Sequence, residues 1–276
     1  LEPFQLHASS EEPPLFMLKS WCELDDVTAG FTTRQAGNTA LHVGDSPQAV
    51  INNRIGVTNL LGWSFEAFTC AEQVHGNEVH VIAPGDKGRG RSERSSAIPD
   101  TDALITNESN VLMAMYFADC VPLYFYDPVT GSMGLAHAGW KGTVAEIAVK
   151  TVEKMQTQFG VQPANLLAAI GPSIGSCCYE VDQNVLNHVV PLLESLQAGD
   201  SSIRASDIIN PVADTGRAML DLKHLNRHLM IKAGILPSRI EMSSWCTGCR
   251  TDLLFSHRME KGATGRMMSW LGRKSR

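Results

Sequence analysis

The apolar positions of this chain fall into short bursts divided by polar punctuation, and the spacing inside each burst predicts its element. Residues 27–34, VTAGFTTR, have the Val, Phe and Thr content of a strand, and a GNTALHVGDSP loop follows. Residues 47–61 fit a short helix that Asp45 or Ser46 can cap and Gly62 can end. The runs AFTCAEQV (67–74) and EVHVIAP (78–84) predict strands flanking a turn at His75, Gly76 and Asn77, where a side chain is presented rather than buried. Residues 102–135 read almost entirely as strand: DALIT, then NVLMAMYFADCVPLYFYD, then SMGLAHAG after a turn at 128–131. Near-continuous apolar runs of this kind suit strands covered on both faces.

Helical spacing takes over later. Val144, Ile147, Ala148, Val152 and Met155 recur at i, i+3, i+4 intervals and predict a helix over 143–159 that Gly160 stops. Further helices fit 183–198 and 214–233, with short strands at LLAAIG and IEMSSW. Strands in bulk followed by interleaved helices imply an α+β fold of mixed sheets packed between helices. No GxGxxG, GxxxxGK[ST] or internal period points elsewhere.

Size and charge narrow the function. At 276 residues and 43% apolar content, one core over 1–276 is expected. A net charge of -6 gives no general attraction for nucleic acid, and the basic run KGRGRSER (87–94) has no interleaved aromatic, so it reads as a solvated loop. No stretch approaches the roughly 18–20 apolar residues of a membrane span, and the acidic start lacks a signal pattern. Seven cysteines, an odd number in a chain this large, suit a reducing compartment, so a soluble cytoplasmic protein is expected.

Borderline metal ligands sit at predicted turns or strand ends in three segments, QVHGNEV, ADCVPLYFYDP and LAHAGWKGT. His75, Cys120 and His137 make a set that zinc accepts, with a fourth position left for water or substrate. Singly, each has an ordinary explanation: a turn His is solvated and a strand Cys packs. Asp119, Asp100 and Asp102 are candidates to orient a ligand imidazole, or equally to cap a turn. His42 could carry a proton near neutrality. His224 and His228 lie four apart but lack the HExxH glutamate, so they read as a solvated helix face. Cys246 and Cys249 form a lone CxxC, and Cys177 and Cys178 read as packing or loop residues.

Taken together, the motifs resemble the YfiH family, known as laccase-domain or polyphenol oxidoreductase-like proteins and as purine nucleoside phosphorylases. The resemblance runs from about Gly30 onward through Thr33-Arg34, HVGDSP, QVHGNEV, DTDALIT, ADCVPLYFYDP, HAGWKGT, AIGPSIGSCCYEV, Cys246-Thr247 and FSHR. It implies a four-layer α/β/β/α fold and a metal, zinc or else copper, on His75, Cys120 and His137. It also implies phosphorolysis of adenosine, inosine and methylthioadenosine, with adenosine deamination as a second activity; pairing into a homodimer stays open. His42, Asp119 and Arg34 are then the candidate catalytic residues, and Lys141, Arg258 and Asn38 the candidate substrate contacts. Arg suits phosphate through its planar fork and Lys as a point charge, although each cation here suits a surface salt bridge as well. The chain departs from the common pattern at His257 and Met259 and before His42, and residues 1–26 match least, part of them reading as an irregular lead-in. Two other readings compete. Copper-dependent polyphenol oxidation is one: a multicopper oxidase needs HxH pairs, and nine His here supply none, which leaves weak oxidation by copper in the three-ligand site; a cysteine hydrolase would use Cys120 as nucleophile with His137 or His75 as base.

Overall fold

In the computed structural model, residues 1–8, 12–24 and 26–275 are described. The elements in chain order are β1 (Phe4–His7), β2 (Leu15–Leu18), α1 (Lys19–Cys22), β3 (Val27–Thr32), α2 (Pro47–Leu60), β4 (Phe68–Cys70), β5 (Val79–Val81) and β6 (Ala103–Thr106). There follow β7 (Val111–Phe117), β8 (Val121–Tyr126), β9 (Met133–Ala138), α3 (Trp140–Val144), α4 (Ile147–Phe159), β10 (Leu167–Ile170) and β11 (Glu180–Val181). The chain continues through α5 (Gln183–Gly199), β12 (Ile209–Val212), β13 (Arg217–Leu220), α6 (Leu222–Lys232), β14 (Ile240–Met242) and β15 (Met267–Arg273).

Two mixed six-stranded sheets carry the fold, ordered β1-β2-β3-β15-β7-β4 and β14-β10-β8-β9-β6-β5. Their strands bury both faces, and the two-residue alternation decides which neighbour each face meets. On β7, Val111, Met113, Met115 and Phe117 point at the second sheet, where Tyr124, Met133 and Leu135 meet them. The alternate residues Leu112, Ala114 and Tyr116 pack with Val57 of α2. On β8, Val121, Leu123 and Phe125 face outward against Val152, Val189 and Leu229 of α4, α5 and α6. The layers are therefore α/β/β/α, with a small antiparallel sheet β11-β13-β12 at one side.

Several expected elements differ. The strands expected at 67–74 and 78–84 shrink to β4 and β5 and do not form a hairpin, because β4 pairs in parallel with β7 and β5 in parallel with β6 of the other sheet. The helix expected over 143–159 is two helices, since Glu146 takes a left-handed φ of 57 between α3 and α4, where it pairs with Lys232 of α6 at 2.7 Å. The helix expected over 214–233 begins at Leu222, capped by Asp221; the residues before it form β13, a hairpin partner of β12. The presumed lead-in is structural where it is described: β1 and β2 extend the first sheet, α1 packs against β3, and Phe4, Phe16, Leu18 and Trp21 are buried, while residues 9–11 and 25 lie outside the described residues. Strand β15, which the apolar pattern does not announce, runs antiparallel between β3 and β7. The basic run is no free loop either, because the buried guanidinium of Arg54 donates to the carbonyls of Gly90 and Arg91 at 2.8 Å each. Among the described residues no helix is long and apolar enough to cross a membrane.

Candidate active site

The chain passes from the first sheet to the second twice in succession, after β4 and after β7, and each crossing presents one candidate ligand. His75 lies on the first, a tight path on which Gln73 and His75 both adopt left-handed backbone (φ 57 and 62). Such conformations cost about 1–3 kcal/mol each and persist only where surroundings hold them. Here the Gln73 amide pairs with both backbone groups of Tyr116, accepting from its N–H at 2.8 Å and donating to its carbonyl at 2.9 Å. Cys120 lies on the second crossing, just after Asp119 at φ 86. His137 is near the end of β9, buried beside them.

The imidazole nitrogens of His75 and His137 and the Cys120 sulfur approach within 4.8 Å of one another, and the two rings meet edge to face. Gly139 is needed at this spot, because a Cβ there would lie 3.1 Å from both Cys120 Sγ and His75 Cδ2. Asp102, wholly buried, organises the cluster: Oδ1 accepts from His137 Nδ1 at 2.8 Å and from the His75 N–H at 3.0 Å, and Oδ2 from the Gly76 and Val74 N–H groups at 2.7 and 3.1 Å. That bond fixes the His137 tautomer and leaves Nε2 free to face the cluster. Of the three aspartates open in the sequence, it is Asp102 that orients a ligand; Asp100 is exposed.

The charges follow. Burial would raise the Asp102 pKa, but the bond to His137, its charge and the two N–H donors on Oδ2 outweigh it and hold the carboxyl below its usual value. Burial likewise opposes Cys120 ionisation, yet His137 and His75 bring the thiol down to about 6, so it is a thiolate at neutral pH. His137 is disfavoured as a cation by burial, but the Cys120 sulfur and Asp102 push it up to about 9, so with Cys120 it forms a thiolate–imidazolium pair, and a metal would have to displace the Nε2 proton to leave the tautomer that Asp102 holds. A thiolate, an imidazole with a fixed tautomer and a second imidazole on a constrained turn together fit a borderline divalent metal such as zinc.

The cluster opens into a cavity of about 400 Å³, within the usual range of about 300–1,000 Å³ for small-molecule sites. Of the residues singled out in the sequence, His42, Asp119 and Arg258 line it with the three candidate ligands. Asp119 is held by Thr247 Oγ1, Ser256 Oγ and the Arg258 N–H, at 2.5, 2.8 and 2.7 Å. The Arg258 guanidinium lies 5.1 Å over the Tyr179 ring and donates to the Glu180 carbonyl at 2.6 Å. His42 differs from expectation: burial first, then Arg266, Arg94 and Arg54, push its pKa down to about 4, so it is neutral rather than poised near neutrality.

Three expected residues do not line the cavity. Arg34 donates to Glu260 at 3.1 Å and to the Thr251 carbonyl and stacks on Phe255, a clamp between chain segments. Lys141 is exposed, its amine 5.8 Å from the Trp140 ring centre. Asn38 is buried with both side-chain atoms engaged: Oδ1 accepts from the Ala40 and Arg266 N–H groups, and Nδ2 donates to the Ala40 and Val43 carbonyls. It positions neighbours and has nothing left for a substrate. The cavity residue missed in the sequence is Arg266, whose Nη1 donates to the Thr264 and Gly265 carbonyls; no motif surrounds it. The aromatic residues Tyr116, Trp140 and Tyr179 also line the wall.

Comparison with known proteins follows the same outline. The family described as multi-copper polyphenol oxidoreductase laccase matches residues 28–274. A purine nucleoside phosphorylase YlmD of Geobacillus stearothermophilus is 40% identical over 257 residues, 90% of each chain. The Bacillus subtilis protein of the same name is 37% identical over 277 residues, 95% of each. A crystal structure of a hypothetical protein YfiH from Bacillus licheniformis superposes with a TM-score of 0.88 at 39% identity, covering 99% of this chain and 100% of that one.

Proposed function

This chain belongs to that laccase-like family, the YfiH family its motifs resemble, and from this premise we propose that it is a metal-dependent purine nucleoside phosphorylase. Its substrates in this reading are adenosine, inosine and methylthioadenosine with phosphate, and adenosine deamination is a second activity. The observation that carries the reading is the convergence of three metal-capable donors at the wall of a cavity that two arginines and three aromatic residues also line. The relatives named purine nucleoside phosphorylase, at 40% and 37% identity, support it.

In phosphorolysis a phosphate oxygen bonds to C1′ of the sugar while the bond from C1′ to the base breaks and the base takes up a proton. The residues here suit each demand. Arg258 and Arg266 offer charge-assisted hydrogen bonds to phosphate, and Tyr179 and Trp140 offer faces for a purine. Neutral His42 can donate its ring N–H to the departing base, and Asp119 can accept a hydrogen bond from a sugar hydroxyl. His75, Cys120 and His137 would hold the metal, zinc by preference for this mixed set or copper by its greater general affinity. Bound there, the ion supplies Lewis acidity toward a substrate oxygen. Holding the reactants together in one cavity supplies the remaining advantage.

The test is incubation of the purified protein with inosine or adenosine and phosphate. Free base with ribose 1-phosphate is the expected product; if neither that nor inosine from adenosine forms, the reading is wrong. One observation favours a second reading: Cys120, His137 and Asp102 also stand as nucleophile, base and orienting carboxylate of a cysteine hydrolase. Chelation separates the two, since a cysteine hydrolase keeps its activity without metal and the phosphorylase loses it.

A further inference from the structure

Spacing along the chain leaves the CxxC of Cys246 and Cys249 without a second pair and makes Cys177 and Cys178 ordinary packing residues. Folding corrects both points by setting the pairs against each other. All four thiols are free, and their sulfurs lie within 4.8 Å of one another. The separations are 3.6 Å for Cys177 to Cys246, 3.3 Å for Cys177 to Cys249 and 3.5 Å for Cys178 to Cys249. A tetrahedron of thiolates around an ion with metal–sulfur bonds of about 2.3 Å has edges of about 3.8 Å. These three separations lie within about 0.5 Å of that figure, and the remaining ones stay within 4.8 Å.

The surroundings are built for the approach. Gly175 donates its N–H to Cys246 Sγ at 3.1 Å, and the Cys249 N–H also reaches that sulfur, the stabilisation a thiolate ligand needs. A Cβ on Gly248 would sit 2.7 Å from Cys178 Cβ and 2.9 Å from its sulfur, so the CxxC loop can close on Cys178 only with glycine there. The buried amine of Lys223, held by the Ser243 and Trp245 carbonyls at 2.9 and 2.7 Å, feels the charge of Cys246 and Cys177. It offsets part of the net negative charge that four thiolates leave on a divalent ion.

We propose that Cys177, Cys178, Cys246 and Cys249 form a second metal site, a closed four-thiolate centre for Zn²⁺, distinct from His75, Cys120 and His137. Four protein ligands leave no position for substrate, so its role is structural. The ion ties two segments that flank the cavity. Ile174 and Tyr179, on either side of the first cysteine pair, line it, and Thr247, between the second pair, holds Asp119. The exposed sulfurs of Cys177 and Cys249 give the metal its entry.

The experiment counts metal in the purified full chain by mass spectrometry and then in Cys120→Ser, which disables the first cluster and leaves these four cysteines intact. Cys120→Ser should retain one zinc per chain. Reloaded with Co²⁺, it should show the intense sulfur-to-cobalt charge-transfer absorption of four thiolates, and adding Cys249→Ser should weaken that band. The outcome is independent of whether the protein cleaves nucleosides. A Cys120→Ser protein that binds no zinc, that holds an iron–sulfur cluster, or whose four cysteines are joined in disulfides when isolated with its metal intact overturns the proposal.

Discussion

Replacing Asp102 with asparagine tests how the candidate centre is held together. All four partners of this carboxylate are donors: His137 Nδ1 and the His75 N–H on one oxygen, the Gly76 and Val74 N–H groups on the other. In either orientation the asparagine NH₂ replaces an oxygen that two donors face, so two hydrogen bonds become donor–donor contacts. A hydrogen bond to a charged group contributes about 1.5–3 kcal/mol, and Asp102 is wholly buried, so water cannot substitute. Losing two gives about 3–6 kcal/mol, in line with removing one member of a buried charged network. For a chain of this size that is a fall in Tm of roughly 6–24 °C. His137 also loses its fixed tautomer, and such orienting partners typically carry about 10–100-fold in metal affinity. The assays are urea denaturation followed by circular dichroism and chelator competition for metal, with Cys120→Ser as the reference that lacks the cluster. A variant within about 1 kcal/mol of the parent with undiminished metal affinity would refute the role given to Asp102.

The two arginines from different parts of the chain should separate cleanly. Arg266→Ala should raise the KM for phosphate by about 10-fold or more, the worth of one charge-assisted bond, whereas Arg34→Ala should lower stability by about 1–2 kcal/mol and leave that KM unchanged; equal effects on KM would show that Arg34 reaches substrate after all. A third expectation concerns acid stability. Burial opposes ionisation of Asp86, but His80, the Ala83 N–H and Arg89 outweigh it and hold its pKa to about 2. A folded value below the unfolded one of about 3.9 means the stabilisation is complete above pH ~4 and drains as pH falls toward 2. The stability gap between the parent and Asp86→Asn, about 1 kcal/mol after solvent screening, should close over that window in denaturation curves. A gap that persists at pH 2 contradicts the assignment.

The sequence carried the metal-capable trio well because each member sits in a short contiguous motif beside residues of fixed backbone demand. It carried the central strands too, since β6 to β9 are continuous apolar runs. What stayed hidden depends on partners far along the chain. Strand β15, MMSWLGR, mixes Ser and Gly into its apolar run and becomes a strand through ladders to β3 and β7, more than 100 residues away. Arg34 and Asn38 lie inside recognisable motifs, yet a motif does not tell a side chain that touches substrate from one that positions the chain. Arg266 shows the converse, lining the cavity from a segment with no signature. The cysteine pairs illustrate the same limit, because spacing rules read neighbours in sequence and these pairs become neighbours only in space.

The two crossings that carry His75 and Cys120 make the cluster a sensor of assembly. Each ligand is anchored where the chain leaves one sheet for the other, so neither sheet alone can bring the donors together. The contacts involved span 62 positions from His75 to His137, and such non-local closures form late because chain entropy opposes them. An ion that binds only the docked arrangement draws the equilibrium toward it in proportion to its free concentration. Metal supply would thus set the lifetime of the folded chain in the cell as well as its turnover, and a metal-starved population would be the first to reach the proteases.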